Sequence, residues 1–259
     1  MKKVALITGA SSGLGKELAR IHASQGGDLV IVARSLNKLE ELKTELEKNH
    51  GVTVYILSKD LSKVEAPEEI YNELDREKIS VDYLINNAGL GGQGYFHERS
   101  MDQDLNLIMV DVVALTKLTK LFLRDFVKRG NGKILNVSST AALFPGGPMQ
   151  AVYYAAKSYV TALGAAIWQE IQGTGVTITT LMPGGMDTGF AKASSLENTA
   201  LAKEMTFTPA VVAQDGYDAM IRGDMEVISK LTPEQVEWFK TIPTTPKEIL
   251  LKQIFEMQK

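Results

Sequence analysis

The sequence predicts an α/β fold in which a doubly wound parallel sheet of about seven strands carries helices on both faces. Short apolar segments alternate with longer amphipathic segments along most of the 259 residues. Parallel strands are buried on both faces and are joined by helical crossovers, so they produce this alternation. No linker, low-complexity segment or further repeat interrupts it, and we expect one domain over residues 1–259.

Seven segments have the length and apolar composition of buried strands. They are Val4–Thr8, Leu29–Ala33, Val52–Leu57, Val81–Ile85, Lys133–Val137, Val176–Leu181 and Glu226–Ile228. Helical patterns cover about Gly13–Gln25, Asn37–Asn49, Pro67–Glu77, Leu105–Lys128, Tyr153–Ile171 and Pro209–Arg222. A loop of about 186–207 follows the sixth strand, and a helical tail of about 232–259 is interrupted at Pro243 and Pro246, because proline ends helices.

Composition excludes several classes of function. Hydrophobic residues make up 44% of the chain, enough for a large core. The net charge of −3 and the scattered basic residues give no surface for nucleic acid. Cysteine is absent and the three histidines are far apart, so we expect no disulfide and no metal site. No apolar run is long enough for a bilayer span or a signal peptide, and we expect a cytoplasmic protein.

The first predicted strand leads into a glycine-rich turn, Thr8-Gly9-Ala10-Ser11-Ser12-Gly13-Leu14-Gly15. Glycines let the backbone turn tightly and approach a pyrophosphate, and the N-terminus of the next helix favours negative charge. The spacing differs from the usual G-x-G-x-x-G, and a merely structural turn is the alternative. Its place after the opening strand predicts a dinucleotide site that includes Gly9, Ser11, Ser12, Gly13, Leu14 and Gly15.

The end of the second predicted strand indicates which dinucleotide is bound. It carries Ala33-Arg34-Ser35 and no acidic residue that would bind the ribose 2′-hydroxyl of NAD. Arg34 has a fork of donors suited to a phosphate, and Lys38 follows one helical turn later. This pattern favours NADP, with an ordinary surface arginine as the alternative.

Tyr153 and Lys157 are four residues apart in a predicted helix, so they share one helix face. An ammonium group beside a phenol favours the phenolate and is expected to lower the tyrosine pKa from about 10. A tyrosine adjusted in this way can donate a proton to an alkoxide or accept one from an alcohol. A half-buried tyrosine under a surface lysine would produce the same spacing.

Five motifs in this order strongly resemble the short-chain dehydrogenase/reductase family. They are the glycine turn, Asn86-Asn87-Ala88-Gly89, Ser139, the pair Tyr153 and Lys157, and Pro183-Gly184, and the resemblance covers about residues 3–230. It implies a Rossmann-fold domain and an NADP-dependent oxidoreductase of the carbonyl reductase or alcohol dehydrogenase type. Hydride would pass between the nicotinamide and a carbonyl or alcohol substrate.

The resemblance also implies roles for individual residues. Tyr153 would be the general acid/base, Lys157 would lower its pKa and hold the nicotinamide ribose, and Ser139 would hydrogen-bond the substrate carbonyl. Asp60 would meet the adenine. Further cofactor contacts are expected from Leu61, Asn87, Ala88, Gly89, Pro183, Gly184 and Thr188.

One position departs from the family pattern. Asp111 stands where the family usually has an asparagine that holds a water connected to the lysine. A carboxylate can accept the same hydrogen bonds, but its charge is expected to raise the pKa of Tyr153 and to move the optimum for alcohol oxidation to higher pH. A tolerated, harmless substitution is the alternative.

The pattern of apolar residues suggests an apolar ketone, aldehyde or acyl-chain substrate. The pocket is expected between the 143–147 and 90–92 turns and the 186–207 loop, with apolar surface from Phe144, Met149, Met186, Phe190, Met205 and Phe207. The tail could cover this pocket, dock on a partner subunit or, least favoured, touch a membrane. Two long helices with apolar residues on several faces suggest a homodimer or homotetramer.

Two other functions remain open at this stage. A catalytically weak NADP-binding protein that senses redox state or acts as a structural partner is favoured only by Asp111. A dehydratase or epimerase of the same family is the least favoured, because those proteins more often have a different glycine spacing.

Overall fold

The computed structural model describes residues 2–186 and 207–258, which contain a seven-stranded, entirely parallel sheet. The strands are β1 Val4–Thr8, β2 Asp28–Ala33, β3 Val54–Ser58, β4 Tyr83–Asn86, β5 Gly132–Val137, β6 Val176–Pro183 and β7 Glu226–Ser229. Their order across the sheet is β3-β2-β1-β4-β5-β6-β7. The predicted fold class is therefore confirmed.

Helices connect the strands and continue beyond the last one. They are α1 Gly13–Ser24, α2 Leu36–His50, α3 Ala66–Arg76, α4 Met101–Ile108, α5 Leu115–Arg129, α6 Ala151–Glu170, α7 Pro209–Arg222, α8 Pro233–Thr241 and α9 Lys247–Gln258. Short 3₁₀ turns occupy Thr140–Leu143 and Ile242–Thr244, the second at the predicted proline break. Across the described ranges, no helix has the length and apolar character required to cross a bilayer.

Alternating side chains of the central strands enter two different cores. In β2, Leu29 and Ile31 pack into one buried cluster with residues of α1, α2 and α7, whereas Val30 and Val32 pack into a second cluster with residues of α3 and α5. Successive residues of a strand point to opposite faces, so both faces of this sheet must be covered. This explains why the strands are continuously apolar.

The sequence predicts a helical pattern over about Leu105–Lys128, and the structure is helical throughout this range but not uniformly α-helical. The helical segment begins at Met101, and a π-helical turn at Met109–Ala114 separates α4 from α5. Such a turn adds about one residue and rotates the helix that follows by about 100°. Because this segment carries apolar residues on more than one face, the periodicity does not reveal that rotation. Asp111 lies inside this turn, and π-turns occur frequently at functional sites.

Strand order reverses between β1 and β4, since β2 and β3 extend to one side of β1 and β5 to β7 to the other. The loops that follow β1 and β4 therefore diverge and leave a cleft beyond the carboxyl edge of the sheet. Ligands of open α/β sheets bind at such switch points. The glycine turn follows β1 and the Asn86–Gly89 turn follows β4, so both border this cleft.

Candidate active site

The glycine turn packs directly on the Asn86–Gly89 turn. Gly9 has a φ of +68°, which a side chain would strain. A Cβ atom on Gly15 would lie 2.4 Å from both the Gly9 carbonyl oxygen and the Asn87 side-chain nitrogen. The Asn87 amide donates to the Thr8 carbonyl oxygen at 2.9 Å, and the Asn87 and Ala88 backbone N–H groups donate to the Thr8 hydroxyl at 3.0 Å each.

A cleft of about 940 Å³ begins at this turn and runs along the carboxyl edge of the sheet. Most of the predicted cofactor residues line it: Gly9, Ser11, Ser12, Gly13, Leu14, Arg34, Asp60, Leu61, Asn87, Ala88, Gly89, Tyr153, Lys157, Pro183 and Gly184, with Lys38 also present. Gly15 lies behind the turn and provides the close packing described above. Thr188 lies outside the described residues, as do Phe190 and Met205.

Two oppositely charged residues, Arg34 and Asp60, line the end of the cleft that is farthest from Tyr153. Burial alone would raise the pKa of Asp60, but hydrogen bonds from Ser62 and the charge of Arg34 hold it below its usual value. The Asp60 carboxylate accepts from the Ser62 backbone N–H at 3.0 Å. Arg34 is exposed and borders the cleft, so its guanidinium can reach an anionic ligand there.

Ser139 is oriented by the short 3₁₀ turn that it begins. Its hydroxyl oxygen accepts from the Ala141 backbone N–H at 3.1 Å, so its own proton is donated on the side of the cleft, where the Tyr153 phenol lies. The neighbouring Ser138 is buried, and its hydroxyl donates to the Lys157 carbonyl oxygen at 2.9 Å. Of these two serines, Ser139 is therefore the one suited to contact a substrate.

Tyr153 lies beside Ser139 and Lys157 in the cleft. Its phenol hydrogen-bonds the Ser139 side chain, and the Lys157 ammonium lies 5.6 Å from its ring centroid. Burial raises the pKa of Tyr153, Lys157 and Ser139 act against this, and Asp111 adds to it. The net direction is upward, so the predicted lowering by Lys157 is outweighed by burial, while the predicted effect of Asp111 has the expected sign.

Lys157 and Asp111 form a buried ion pair, with 2.9 Å between the ammonium nitrogen and one carboxylate oxygen. The Asp111 side chain is 0% exposed, and its other oxygen accepts from the Leu90 backbone N–H at 2.7 Å. Burial alone would lower the pKa of Lys157, but the Asp111 carboxylate raises it above its ordinary value. The ammonium group therefore stays charged beside Tyr153 at neutral pH.

Sequence reasoning missed several residues at the other end of the cleft. This end is lined by Phe144, Gln150, Tyr154, Leu231, Trp238, Phe239, Ile254, Met257 and Gln258. Of these, only Phe144 was predicted for the substrate pocket. Met186 and Leu90 also line the cleft as predicted, whereas Met149 does not. The tail was expected either to cover the pocket or to dock elsewhere, and α8 and α9 supply much of this wall.

No group of three or more side chains suited to a metal ion occurs within residues 2–186 and 207–258. In the same part of the chain, Ser139, Tyr153, Lys157 and Asp111 lie close together beside the glycine turn. This combination matches a known family. A sequence model described as short chain dehydrogenase matches residues 3–199. The chain belongs to the short-chain dehydrogenase family.

Individual relatives support membership in this family of oxidoreductases. The human 17-beta-hydroxysteroid dehydrogenase type 3 is 34% identical over 195 residues, which span 74% of this chain and 62% of that protein. The NADP-dependent 3-hydroxy acid dehydrogenase YdfG of Escherichia coli K12 is 33% identical over 184 residues, 70% of this chain and 71% of that one. The chain thus spans less than two thirds of the length of the human relative.

A solved structure of similar fold contains a nicotinamide cofactor. It is a short-chain dehydrogenase from Sphingobium yanoikuyae in complex with NADPH, 27% identical, with a TM-score of 0.83 over 93% of each chain. The present cleft fits such a group, because Gly9 and the residues from Ser11 to Leu14 line it at the N-terminus of α1, where backbone N–H groups favour a phosphate. Arg34 and Lys38 add positive charge at the same end.

Proposed function

We propose that the protein is an NADP-dependent carbonyl reductase or alcohol dehydrogenase in which Tyr153 is the general acid/base. The observation that carries this proposal is the contact of Tyr153 with Ser139, beside the Lys157 ammonium, in the same cleft as the glycine turn. A proton donor, a second hydrogen-bond donor and a fixed positive charge then surround one position for a substrate oxygen.

The residues support the following chemistry in the direction of reduction. A substrate carbonyl oxygen accepts hydrogen bonds from Ser139 and Tyr153, and Tyr153 transfers its proton to that oxygen as negative charge develops. The bound nicotinamide cofactor supplies the hydride for the carbonyl carbon. Lys157 stabilises the phenolate that remains. Burial raises the pKa of Tyr153, so its phenol keeps the proton that reduction requires.

We assign NADP rather than NAD as the preferred cofactor. Arg34 follows β2, where an NAD-binding site would present an acidic residue, and both Arg34 and Lys38 border the cleft. Asp60, near Arg34, accepts from Ser62 and would meet the adenine, as the matching residue of the family does. Ser11, Ser12, Gly13 and Leu14 offer the turn and the N-terminus of α1 to the phosphates.

The proposed substrate is an uncharged ketone, aldehyde or corresponding alcohol with apolar substituents. Phe144, Trp238, Phe239, Ile254 and Met257 form an apolar wall beside the catalytic residues. The names of the two relatives point to different substrates, a hydroxysteroid and a hydroxy acid. Among the described residues, the cationic side chains that line the cleft are Lys157 and those at the end with Arg34, where the adenine would bind. This distribution favours an uncharged substrate over a carboxylic acid.

The test is reduction of a panel of ketones, aldehydes and acyl thioesters with NADPH and NADH in parallel. We expect steady turnover with NADPH and loss of about 10³-fold or more in Tyr153→Phe, since general acid catalysis contributes about 10²–10⁴-fold. Tyr71→Phe is the matched control and should retain most of the activity, because the Tyr71 hydroxyl donates to Asp125 and does not line the cleft. Binding of NADPH without turnover of any member would instead favour a weak NADP-binding protein, in which the Asp111 carboxylate engages Lys157.

We further propose a homodimer or homotetramer that buries the outer faces of α4 and α6. Met101 and Leu105 of α4 and Tyr159 of α6 are large apolar residues that are exposed in the single chain. Light scattering combined with gel filtration should give a mass of two or four chains, and a monomer would contradict this proposal. The cytoplasmic location stays a prediction from the sequence.

A further inference from the structure

Gln258 of α9 is buried although it is an uncharged polar side chain near a cleft, with only 1% of its surface exposed. Its side-chain oxygen accepts from the Gln150 amide, its side-chain nitrogen donates to the Tyr154 hydroxyl at 3.4 Å, and its backbone oxygen accepts from the Gln93 amide. A buried amide is stable only when its hydrogen bonds are made. These hydrogen bonds therefore fix α9 in one specific position, which apolar contacts alone would not do.

Tyr154 lies in α6, and the other two partners, Gln93 and Gln150, lie in the loops that follow β4 and β5. Gln93 lies in the loop after β4, and Gln150 directly precedes α6, which carries Tyr153. The two loops also join each other, because the Gly94 backbone N–H donates to the Met149 carbonyl oxygen at 2.9 Å. Met149 has a φ of +64°, a strained conformation that persists only where surrounding contacts hold it. Gln258 thus attaches α9 to a tightly constrained junction.

Helix α9 presents apolar residues to the substrate end of the cleft from this position. Ile254, one helical turn before Gln258, packs with Ala141, Phe144 and Tyr154. Met257 and Ile254 both line the cleft. Helix α8 joins the same cluster, with Trp238 and Phe239 at 4.8 and 5.5 Å between ring centroids from Phe144.

We propose that Gln258 is a specificity-determining positioning residue: its hydrogen bonds hold α9 across the cleft so that Ile254 and Met257 limit the size of the carbonyl substituents that fit. This inference rests on the proposed carbonyl reductase function. Gln258 acts through α9 and takes no part in proton transfer. The substrates between which Gln258 discriminates are uncharged ketones whose substituents differ in size.

The first experiment compares Gln258→Met with Gln253→Met. Methionine preserves the length of the side chain and removes its hydrogen bonds, and Gln253 is an exposed glutamine of the same helix. We expect the ratio of kcat/KM for a bulky bicyclic ketone to that for a short aliphatic ketone to rise about 10-fold in Gln258→Met, mainly through KM. This change corresponds to about 1.4 kcal/mol, which is within the range for the loss of the two side-chain hydrogen bonds. NADPH affinity, measured by fluorescence titration, should stay within about two-fold.

The second measurement does not depend on activity. In a Trp168→Phe background, Trp238 is the remaining tryptophan and reports on the cluster beneath α8 and α9. Gln258→Met should increase acrylamide quenching of Trp238 and shift its emission to longer wavelength, whereas Gln253→Met should change neither. If the wild-type protein reduces no ketone, the proposed function fails, but the quenching result still decides whether Gln258 holds α9.

A third variant covers the case in which Gln258→Met does not fold. Gln258→Glu has nearly the same shape, and its protonated carboxyl group can both accept from Gln150 and donate to Tyr154. At pH 5.5, where the carboxyl group is protonated, we expect Gln258→Glu to show the Trp238 quenching and the ratio of kcat/KM values of the wild type. At pH 8, where it is ionised, we expect the values of Gln258→Met. An unchanged ketone ratio together with unchanged Trp238 quenching in these variants would overturn the proposal.

Discussion

Replacing Asp111 by asparagine tests how the buried ion pair controls Tyr153. The distances of 2.9 Å from Asp111 to the Lys157 nitrogen and 5.6 Å from that nitrogen to the Tyr153 ring centroid place the carboxylate within about 8.5 Å of the ring. At an effective dielectric constant of about 20, a unit charge at that distance disfavours the phenolate by about 2 kcal/mol. Removing it should lower the pKa of Tyr153.

The expected result follows from the direction of this change. Alcohol oxidation needs the phenolate, so its rising limb should move to lower pH in Asp111→Asn. At a pH below that limb the rate should rise by up to about 30-fold, which corresponds to 2 kcal/mol. The asparagine oxygen can still accept from Leu90, but the buried lysine loses its counter-charge, and stability should fall by up to about 3–5 kcal/mol.

Asp104→Asn is the matched control for this experiment. Asp104 lies on α4 and forms another largely buried ion pair, 2.7 Å from Arg99, without contacting Lys157. Both variants should lose stability in urea denaturation, but only Asp111→Asn should shift the pH profile of kcat for alcohol oxidation. A profile that is unmoved in Asp111→Asn, or moved equally in both variants, would refute the electrostatic argument.

Two further predictions concern the cofactor and the fold. Arg34→Ala should lower kcat/KM for NADPH by about 10- to 100-fold, since a hydrogen bond to a charged group contributes about 1.5–3 kcal/mol. The value for NADH should change little, and Lys43→Ala on α2, the helix that follows Arg34, is the control. An equal loss with both cofactors would contradict the assignment. The second prediction concerns His22, a buried histidine whose Nε2 donates to the Lys3 carbonyl oxygen at 3.1 Å and whose Nδ1 accepts from Tyr217 at 2.8 Å. Burial lowers the pKa of His22, so the unfolded chain takes up its proton first, and the stability that the neutral ring contributes is complete above about pH 6.5 and is lost as pH falls below it, by up to about 1.4 kcal/mol per pH unit. Urea denaturation between pH 7.5 and 5 should therefore show a shallower loss of stability in His22→Gln than in wild type or in the exposed control His97→Gln, and equal slopes would show that His22 does not contribute.

The order of elements and most of the cleft residues could be predicted because they depend on local signals. Strands buried on both faces must be continuously apolar. A strand followed by Gly9, Gly13 and Gly15 is typical of a dinucleotide-binding turn. Parallel strands bring the segments after their carboxyl ends to one edge, so Arg34, Ser139 and Tyr153 were expected to lie near the same cleft. Their roles in catalysis and cofactor binding stay predictions.

Tertiary structure decided the strengths and partners of these groups. The position of Asp111 could be read from the sequence, but its direct contact with Lys157 arises from the packing of α6 against the π turn that contains Asp111. The upward pKa of Tyr153 likewise depends on burial, which is a property of the packed chain rather than of the spacing between two residues. Sequence reasoning therefore identified the charged residues but predicted the wrong net direction for the pKa of Tyr153.

The end of the cleft that α8 and α9 line shows most clearly what the sequence determines and what only the folded chain decides. By itself, the sequence determined that a helical tail rich in apolar residues follows the last strand and breaks near Pro243 and Pro246. It left open where that tail packs, because amphipathic helices can cover many different apolar surfaces. Only the folded chain brings Gln258 to Gln150 and Tyr154, since contacts between residues more than a hundred positions apart depend on the packing of the whole sheet.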